Sequence, residues 1–224
     1  MKAVTVAVLL PLPIGLLTGV LEQLDLISLS GATYREWVGW GFIAYIGFHV
    51  LLYRPVALFQ ASHRVFSTLA LWLFGGQVSS VAGGGAAAAK KGKGQKEAPQ
   101  AQGSTLVAFS PYAIPVYTVL VCALGWLGGR LWPRPLVDGP VSFLIGATMA
   151  FHWLMTADEL QRQRERWHIE TYLLAISLVF MLTLLAGGVC LPWALPEFSF
   201  LKALAEGLLQ AKAIYASLVQ QLFF

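Results

Sequence analysis

Apolar residues occur in long blocks along this chain, and short stretches containing polar residues, glycine or proline separate the blocks. A helix needs ~20 mainly apolar residues to cross the hydrocarbon core of a bilayer. The blocks near that length are residues 3–20, 37–53, 56–74, 112–131, 140–157 and 171–195. The pattern therefore predicts an all-α fold, a polytopic transmembrane helical bundle of about six spans.

The first block has two interpretations. Residues 3–20 are uncharged and follow Lys2, which fits the apolar core of a signal peptide as well as a first membrane helix. We prefer the helix, because the following "LEQLDLISLSG" lacks a clear small-x-small cleavage site. The second and third blocks meet at "YRP", where Pro55 interrupts helical hydrogen bonding, so they predict a helical hairpin.

A different composition separates the third and fourth blocks. Residues 82–103 are rich in Gly, Ala, Lys and Gln and contain no aromatic or large aliphatic residue, which predicts a flexible loop. The chain then divides into N-terminal membrane helices (1–81), this loop (82–103), C-terminal membrane helices (104–195) and a tail (196–224).

The tail has the periodicity of an amphipathic helix. Its apolar face comprises Leu201, Leu204, Ala205, Leu208, Tyr215, Val219, Leu222 and Phe223. Its polar face comprises Lys202, Glu206, Gln210, Ser217, Gln220 and Gln221. Such a helix can lie in the membrane interface or pack against a helix of another subunit, and we expect the second.

Composition places the chain in a membrane. It is 57% hydrophobic and 12% charged, whereas about 25% of residues are charged in an average soluble domain. The sequence therefore predicts an integral membrane protein. Cys122 and Cys190 fall within membrane blocks, and we interpret them as small apolar fillers rather than a disulfide.

The basic residues predict an orientation. Two spans separate the lysine loop from the connector near residue 164, so both should lie on one side of the membrane. That side would carry Lys90, Lys91, Lys93, Lys96, Arg162, Arg164 and Arg166, with Arg130 and Arg134 opposite. The positive-inside rule then predicts that the 82–103 loop is cytoplasmic. No aromatic residues lie between its lysines, so we expect lipids and other membrane subunits as partners, and no nucleic acid.

The helix that begins near Ser62 carries a possible catalytic motif. "SHRVFSTLALWLFGGQV" places His63 before an apolar run that ends in a double glycine, Gly75 and Gly76. This pattern resembles membrane zinc metallopeptidases of the site-2-protease type, in which H-E-x-x-H is followed by an apolar run and Gly-Gly-x-Val. "FSPYAIPVYTVLV" and the segment 143–185 are similar to later parts of some bacterial members. The resemblance implies a bacterial inner membrane protein.

The motif departs from that family at two essential positions. H-E-x-x-H binds Zn²⁺ through two histidines on one helix face, and its Glu activates the metal-bound water. Here Arg64 replaces the Glu and Ser67 replaces the second His. An arginine side chain cannot accept a proton at ordinary pH, so the usual water activation is lost.

The resemblance also implies where further metal ligands would lie. The family draws a ligand from an Asp-Gly element, which Asp138 and Gly139 match, and His152 stands in the middle of a block. His63, Asp138 and His152 would supply the three protein ligands of a catalytic zinc. Alternatively, Asp138 is a turn residue before Gly-Pro and His152 makes a polar contact with a neighbouring helix.

These features predict a non-catalytic, metallopeptidase-like protein that acts as a subunit or scaffold of a larger membrane assembly. We expect no cofactor, with zinc as the alternative if the unusual ligands bind it. An intramembrane zinc metallopeptidase and an accessory component of a transporter or channel remain the alternative functions. Arg64 separates the first two hypotheses, because it stands where the catalytic base would be.

Overall fold

A computed structural model describes residues 9–29, 32–51, 60–61, 114–163 and 169–223 of the protein. Within these ranges the chain is almost entirely helical, with one short antiparallel β ladder. The helices are α1 (Pro11–Asp25), α2 (Tyr34–Leu51), α3 (Val116–Leu131), α4 (Arg134–Gln163), α5 (Ile169–Ala194) and α6 (Phe200–Phe223). The ladder joins β1 (Ser28–Leu29) to β2 (Ala32–Thr33), with Ser28 opposite Thr33.

The prediction of an all-helical fold is confirmed for the described residues, but six spans are not. Among the described residues, two helices are long and apolar enough to cross a membrane, over Arg134–Gln161 in α4 and Tyr172–Ala194 in α5. Helix α3 is apolar but shorter. Helix α1 has 15 residues, fewer than the ~20 that a span needs. The predicted span at 56–74 lies almost wholly outside the described residues.

Local sequence signals set the starts of two helices. Helix α2 begins with a capping box: the backbone N–H of Glu36 donates to Thr33 Oγ1 over 3.3 Å, and the Glu36 carboxylate accepts from the Thr33 N–H over 3.1 Å. Helix α3 begins directly after Pro115, which fixes the backbone but cannot donate a helical hydrogen bond.

Helix α4 begins six residues before the predicted start at Pro140. The alternative interpretation of Asp138 as a turn residue is therefore wrong, because Asp138 lies inside the helix. Pro140 lies inside the helix and has no N–H to donate to the carbonyl of Leu136, so one backbone hydrogen bond is lost there. Contacts of the Arg134 and Asp138 side chains stabilise this end of the helix.

Glycines bring two pairs of helices into close backbone contact. At the α1–α6 interface, a Cβ atom added to Gly19 would collide with the Ala203 carbonyl, and one added to Gly207 would lie 2.9 Å from Leu16 Cα. At the α2–α4 interface, a Cβ at Gly41 would collide with the Phe143 carbonyl. Small residues spaced four apart permit this approach, which is common between membrane helices.

The C-terminal helix α6 uses a different face from the one that the sequence predicts for docking. Ala203, Gly207 and Ala211 are buried and face α1 of the same chain. Leu201 and Leu208, which belong to the predicted apolar face, are 75% and 50% exposed. The small residues therefore make the intramolecular contact, and the large apolar side chains remain uncovered.

The core lies where α4 and α5 meet the other helices. One cluster of buried residues includes Leu24, Cys122, Ile145 and Leu195. A second cluster surrounds Phe151, whose ring packs edge-on against Tyr45 at 5.7 Å and Tyr117 at 5.3 Å between centroids. Edge-to-face packing of this kind adds to the stability gained by burial.

Candidate functional site

Asp138, predicted as a metal ligand, lies in a network of charged and hydroxyl groups at one end of the bundle. The Tyr34 hydroxyl donates to Asp138 Oδ2 over 2.9 Å. Arg134 Nη1 lies 3.7 Å from Asp138 Oδ1 and donates to the backbone carbonyl of Ala194 over 3.0 Å. We call Tyr34, Arg134, Asp138 and the Ala194 carbonyl the Asp138 cluster.

The Asp138 cluster lies where the ends of α2, α4 and α5 meet. Tyr34 is the first residue of α2, Arg134 is the first residue of α4, and Ala194 is the last residue of α5. Arg134 and Asp138 are four residues apart, the spacing at which oppositely charged side chains meet on a helix surface. The cluster therefore ties together the ends of three helices.

Burial determines the electrostatics of this cluster. Asp138 and Tyr34 are each 5% exposed. Burial raises the pKa of the Tyr34 phenol above its ordinary value of 10.0, and the hydrogen bond to Asp138 and the charge of that carboxylate raise the pKa further. Tyr34 thus remains a neutral hydrogen-bond donor at physiological pH, while Arg134 carries a compensating positive charge.

His152 lies in a separate environment in the middle of α4. Its side chain is 6% exposed, and its Nε2 atom is 3.5 Å from Thr183 Oγ1 on α5. This arrangement matches the alternative interpretation, in which His152 makes a polar contact with a neighbouring helix.

The structure does not bring the predicted metal ligands together. Asp138 and His152 stand fourteen positions apart on one continuous helix, which corresponds to ~21 Å along its axis. One metal ion cannot contact both side chains over that distance. His63, Arg64 and Ser67 lie outside the described residues. Among the residues that the structure does describe, no group of three or more His, Cys, Asp or Glu side chains is placed to hold a metal.

Sequence reasoning missed the two side chains that contact the Asp138 carboxylate. Arg134 could have been found from its i,i+4 spacing to Asp138. Tyr34 could not, because it is 104 positions away from Asp138 and only the packing of α2 against α4 brings the two together.

An apolar cavity of about 240 Å³ is a second candidate site. It lies between α1, α2, α4 and α5, and Thr118 of α3 completes its wall. The Thr118 hydroxyl donates to Thr148 Oγ1 over 3.1 Å, so it offers no free proton to an occupant. Trp153 lines the cavity, while its indole N–H is buried and has no acceptor among the described residues. The small residues Gly39, Gly146 and Gly187 in its wall are the one sequence feature that relates to this cavity.

Comparison with known proteins adds no assignment to either candidate site. No protein family, curated protein or solved structure matches this chain.

Proposed function

We propose that this protein is a non-catalytic integral membrane protein that acts as a subunit or scaffold of a larger membrane assembly. The main supporting observation is the apolar exterior of the helices. On α3 the exposed large side chains follow a helical stripe, Leu120, Leu124, Leu127 and Leu131, each at least 47% exposed. A stripe of this kind is stable against lipid but costly against water.

The interior supports the same location. Helices α4 and α5 have the length and composition of spans, and the backbone-to-backbone contacts at Gly19 and Gly41 are of the type that joins membrane helices. The buried charge of Asp138 is neutralised by Arg134 within the protein, as a charge near the bilayer must be.

The non-catalytic role is supported by Asp138 and Arg64, which stand where the metallopeptidase resemblance implies a metal ligand and a catalytic base. Asp138 already has a hydrogen-bond donor at one oxygen and a guanidinium near the other. Arg64 stands beside His63 at the position of the catalytic base. The proposed family relationship to site-2-protease-type enzymes rests on this motif and on the similar segments 109–121 and 143–185.

The location that we propose is the bacterial inner membrane, with the 82–103 loop in the cytoplasm. This orientation follows from the seven basic residues assigned to that side against Arg130 and Arg134 on the other.

The subunit role is tested by mild-detergent purification, with identification of co-purifying proteins and elemental analysis for zinc. We expect defined membrane partners and no stoichiometric zinc. Near-equimolar zinc that disappears in His63→Ala would instead support the metallopeptidase.

The exposed face of α6 provides a sharper test of assembly. Leu201→Ser and Leu208→Ser alter exposed side chains and leave Ala203, Gly207 and Ala211 in place against α1. We expect the double variant to insert normally and to lose co-purifying partners. Ala216→Ser, an exposed position on the same helix, is the control. Unchanged association in the double variant would contradict docking through this face.

A further inference from the structure

We propose that the apolar cavity between α1, α2, α4 and α5 binds an acyl chain of a membrane phospholipid. This inference rests on the membrane location proposed above. It assigns a ligand site that is independent of the Asp138 cluster and of the metallopeptidase motif.

The chemistry of the wall selects a hydrocarbon occupant. Apart from Thr118, whose hydroxyl is directed to Thr148, the wall consists of glycine, aliphatic, methionine and aromatic side chains such as Leu17, Phe42 and Met149. A water molecule needs two to four polar partners, and this surface supplies almost none. An engineered apolar cavity of about 150 Å³ stays dry and binds benzene. The larger cavity here favours an apolar ligand for the same reason.

The position of the cavity favours a chain over a compact molecule. Its wall on α4 runs from Ile145 to Trp153, which corresponds to ~12 Å of helix rise, and this segment is central in the candidate span Arg134–Gln161. The cavity therefore lies at the depth of the lipid hydrocarbon. A void of this size left empty would lose dispersion contacts along its whole wall, and a neighbouring acyl chain restores them.

Gly39 provides the means to block the cavity without disturbing the bundle. It lies in the wall, and a Cβ atom added there meets no other atom within 4 Å. Gly47 on the same helix is equally open but is not part of the wall, so it provides a matched control. Gly146 is unsuitable, because a Cβ there would collide with the Val38 carbonyl.

The test uses the full chain reconstituted in phosphatidylethanolamine and phosphatidylglycerol vesicles. The probe is phosphatidylethanolamine with a photoactivatable diazirine in the middle of one acyl chain. After irradiation, mass spectrometry compares labelling of the peptide that contains Met149, in the cavity wall, with the peptide that contains Leu124, on the exposed face of α3.

We expect both peptides to be labelled in the wild type and in Gly47→Leu. Gly39→Leu should lose labelling at Met149 and keep it at Leu124. Leu17→Trp, which fills the cavity from the α1 wall, should give the same result if Gly39→Leu does not fold.

Two results would overturn the proposal: labelling at Leu124 without labelling at Met149 in the wild type, or undiminished labelling at Met149 in the filled variants. Absence of labelling at both positions would overturn the membrane location as well. The outcomes thus separate failure of the cavity assignment from failure of the proposed function.

Discussion

Asp138 shows how one residue type can fit two different roles. Its Asp-Gly context resembles a metal-ligand element, but its oxygens contact Tyr34 and Arg134 within the folded chain. A buried carboxylate deprived of such partners is strongly destabilising. The residue therefore acts in the structure by joining the ends of α2, α4 and α5.

Removing the Tyr34 hydroxyl tests this role. Tyr34→Phe leaves Asp138 Oδ2 buried without its donor, so we expect the free energy of unfolding to fall by about 1–3 kcal/mol. Arg35→Ala is the control, because the Arg35–Asp25 ion pair is exposed and such pairs contribute at most ~1 kcal/mol. Denaturant unfolding in a mild detergent measures both. Equal effects of the two substitutions would show that the cluster does not stabilise the fold.

The same tyrosine predicts a pH dependence. Burial and Asp138 raise the pKa of Tyr34 above 10.0 in the folded protein, so the folded chain retains a proton that the unfolded chain releases. Its contribution to stability is complete below the unfolded pKa and falls as the pH rises from 10.0 through the folded pKa. The unfolding midpoint of the wild type should therefore drop more steeply than that of Tyr34→Phe above about pH 10. Parallel pH profiles would contradict this assignment.

At the scale of elements, the helices pair through backbone contacts at small residues. The interface between α1 and α6 combines Gly15 and Gly19 with Ala203, Gly207 and Ala211. Both helices have the small-xxx-small spacing, whereas hydrophobic periodicity identified only the leucine face of α6, which the sequence predicts for docking to another subunit. Periodicity favours large apolar residues, whereas close helix packing in a membrane selects small ones.

Substitution at this interface should be costly. Gly19→Val places a methyl-bearing carbon against the Ala203 carbonyl, which cannot move without shifting α6. We expect a loss of ~1–3 kcal/mol or more, as for an overpacked core. Gly47→Val, where a Cβ meets nothing within 4 Å, should change stability little. Thermal unfolding of the two variants in one detergent compares them, and similar midpoints would refute the packing argument.

At the scale of the whole molecule, composition and block length predicted the all-helical fold and the positions of α2, α3 and α5 to within a few residues at most boundaries. The six predicted spans are not confirmed: among the described residues only α4 and α5 have the length and composition of a span, and block length does not reveal that α1 has 15 residues. The metallopeptidase resemblance implied Asp138 and His152 as ligands of one metal, because a linear motif does not show that ~21 Å of helix separates them.

The cavity could not be predicted from the sequence for a related reason. Residues of five helices form its wall, and the sequence pattern around each of these residues is that of an ordinary core residue. Only the relative placement of the helices leaves the space beside Gly39 unfilled.

The central claim, that this chain is embedded in a membrane, is tested most directly by alkaline carbonate extraction of membranes from cells that express the full chain. Extraction at high pH releases peripheral proteins but leaves helices that span the hydrocarbon core in place. With α4 and α5 as spans and the leucine stripe of α3 against lipid, we predict that the protein remains in the membrane pellet. Release of the folded protein into the supernatant would contradict the account.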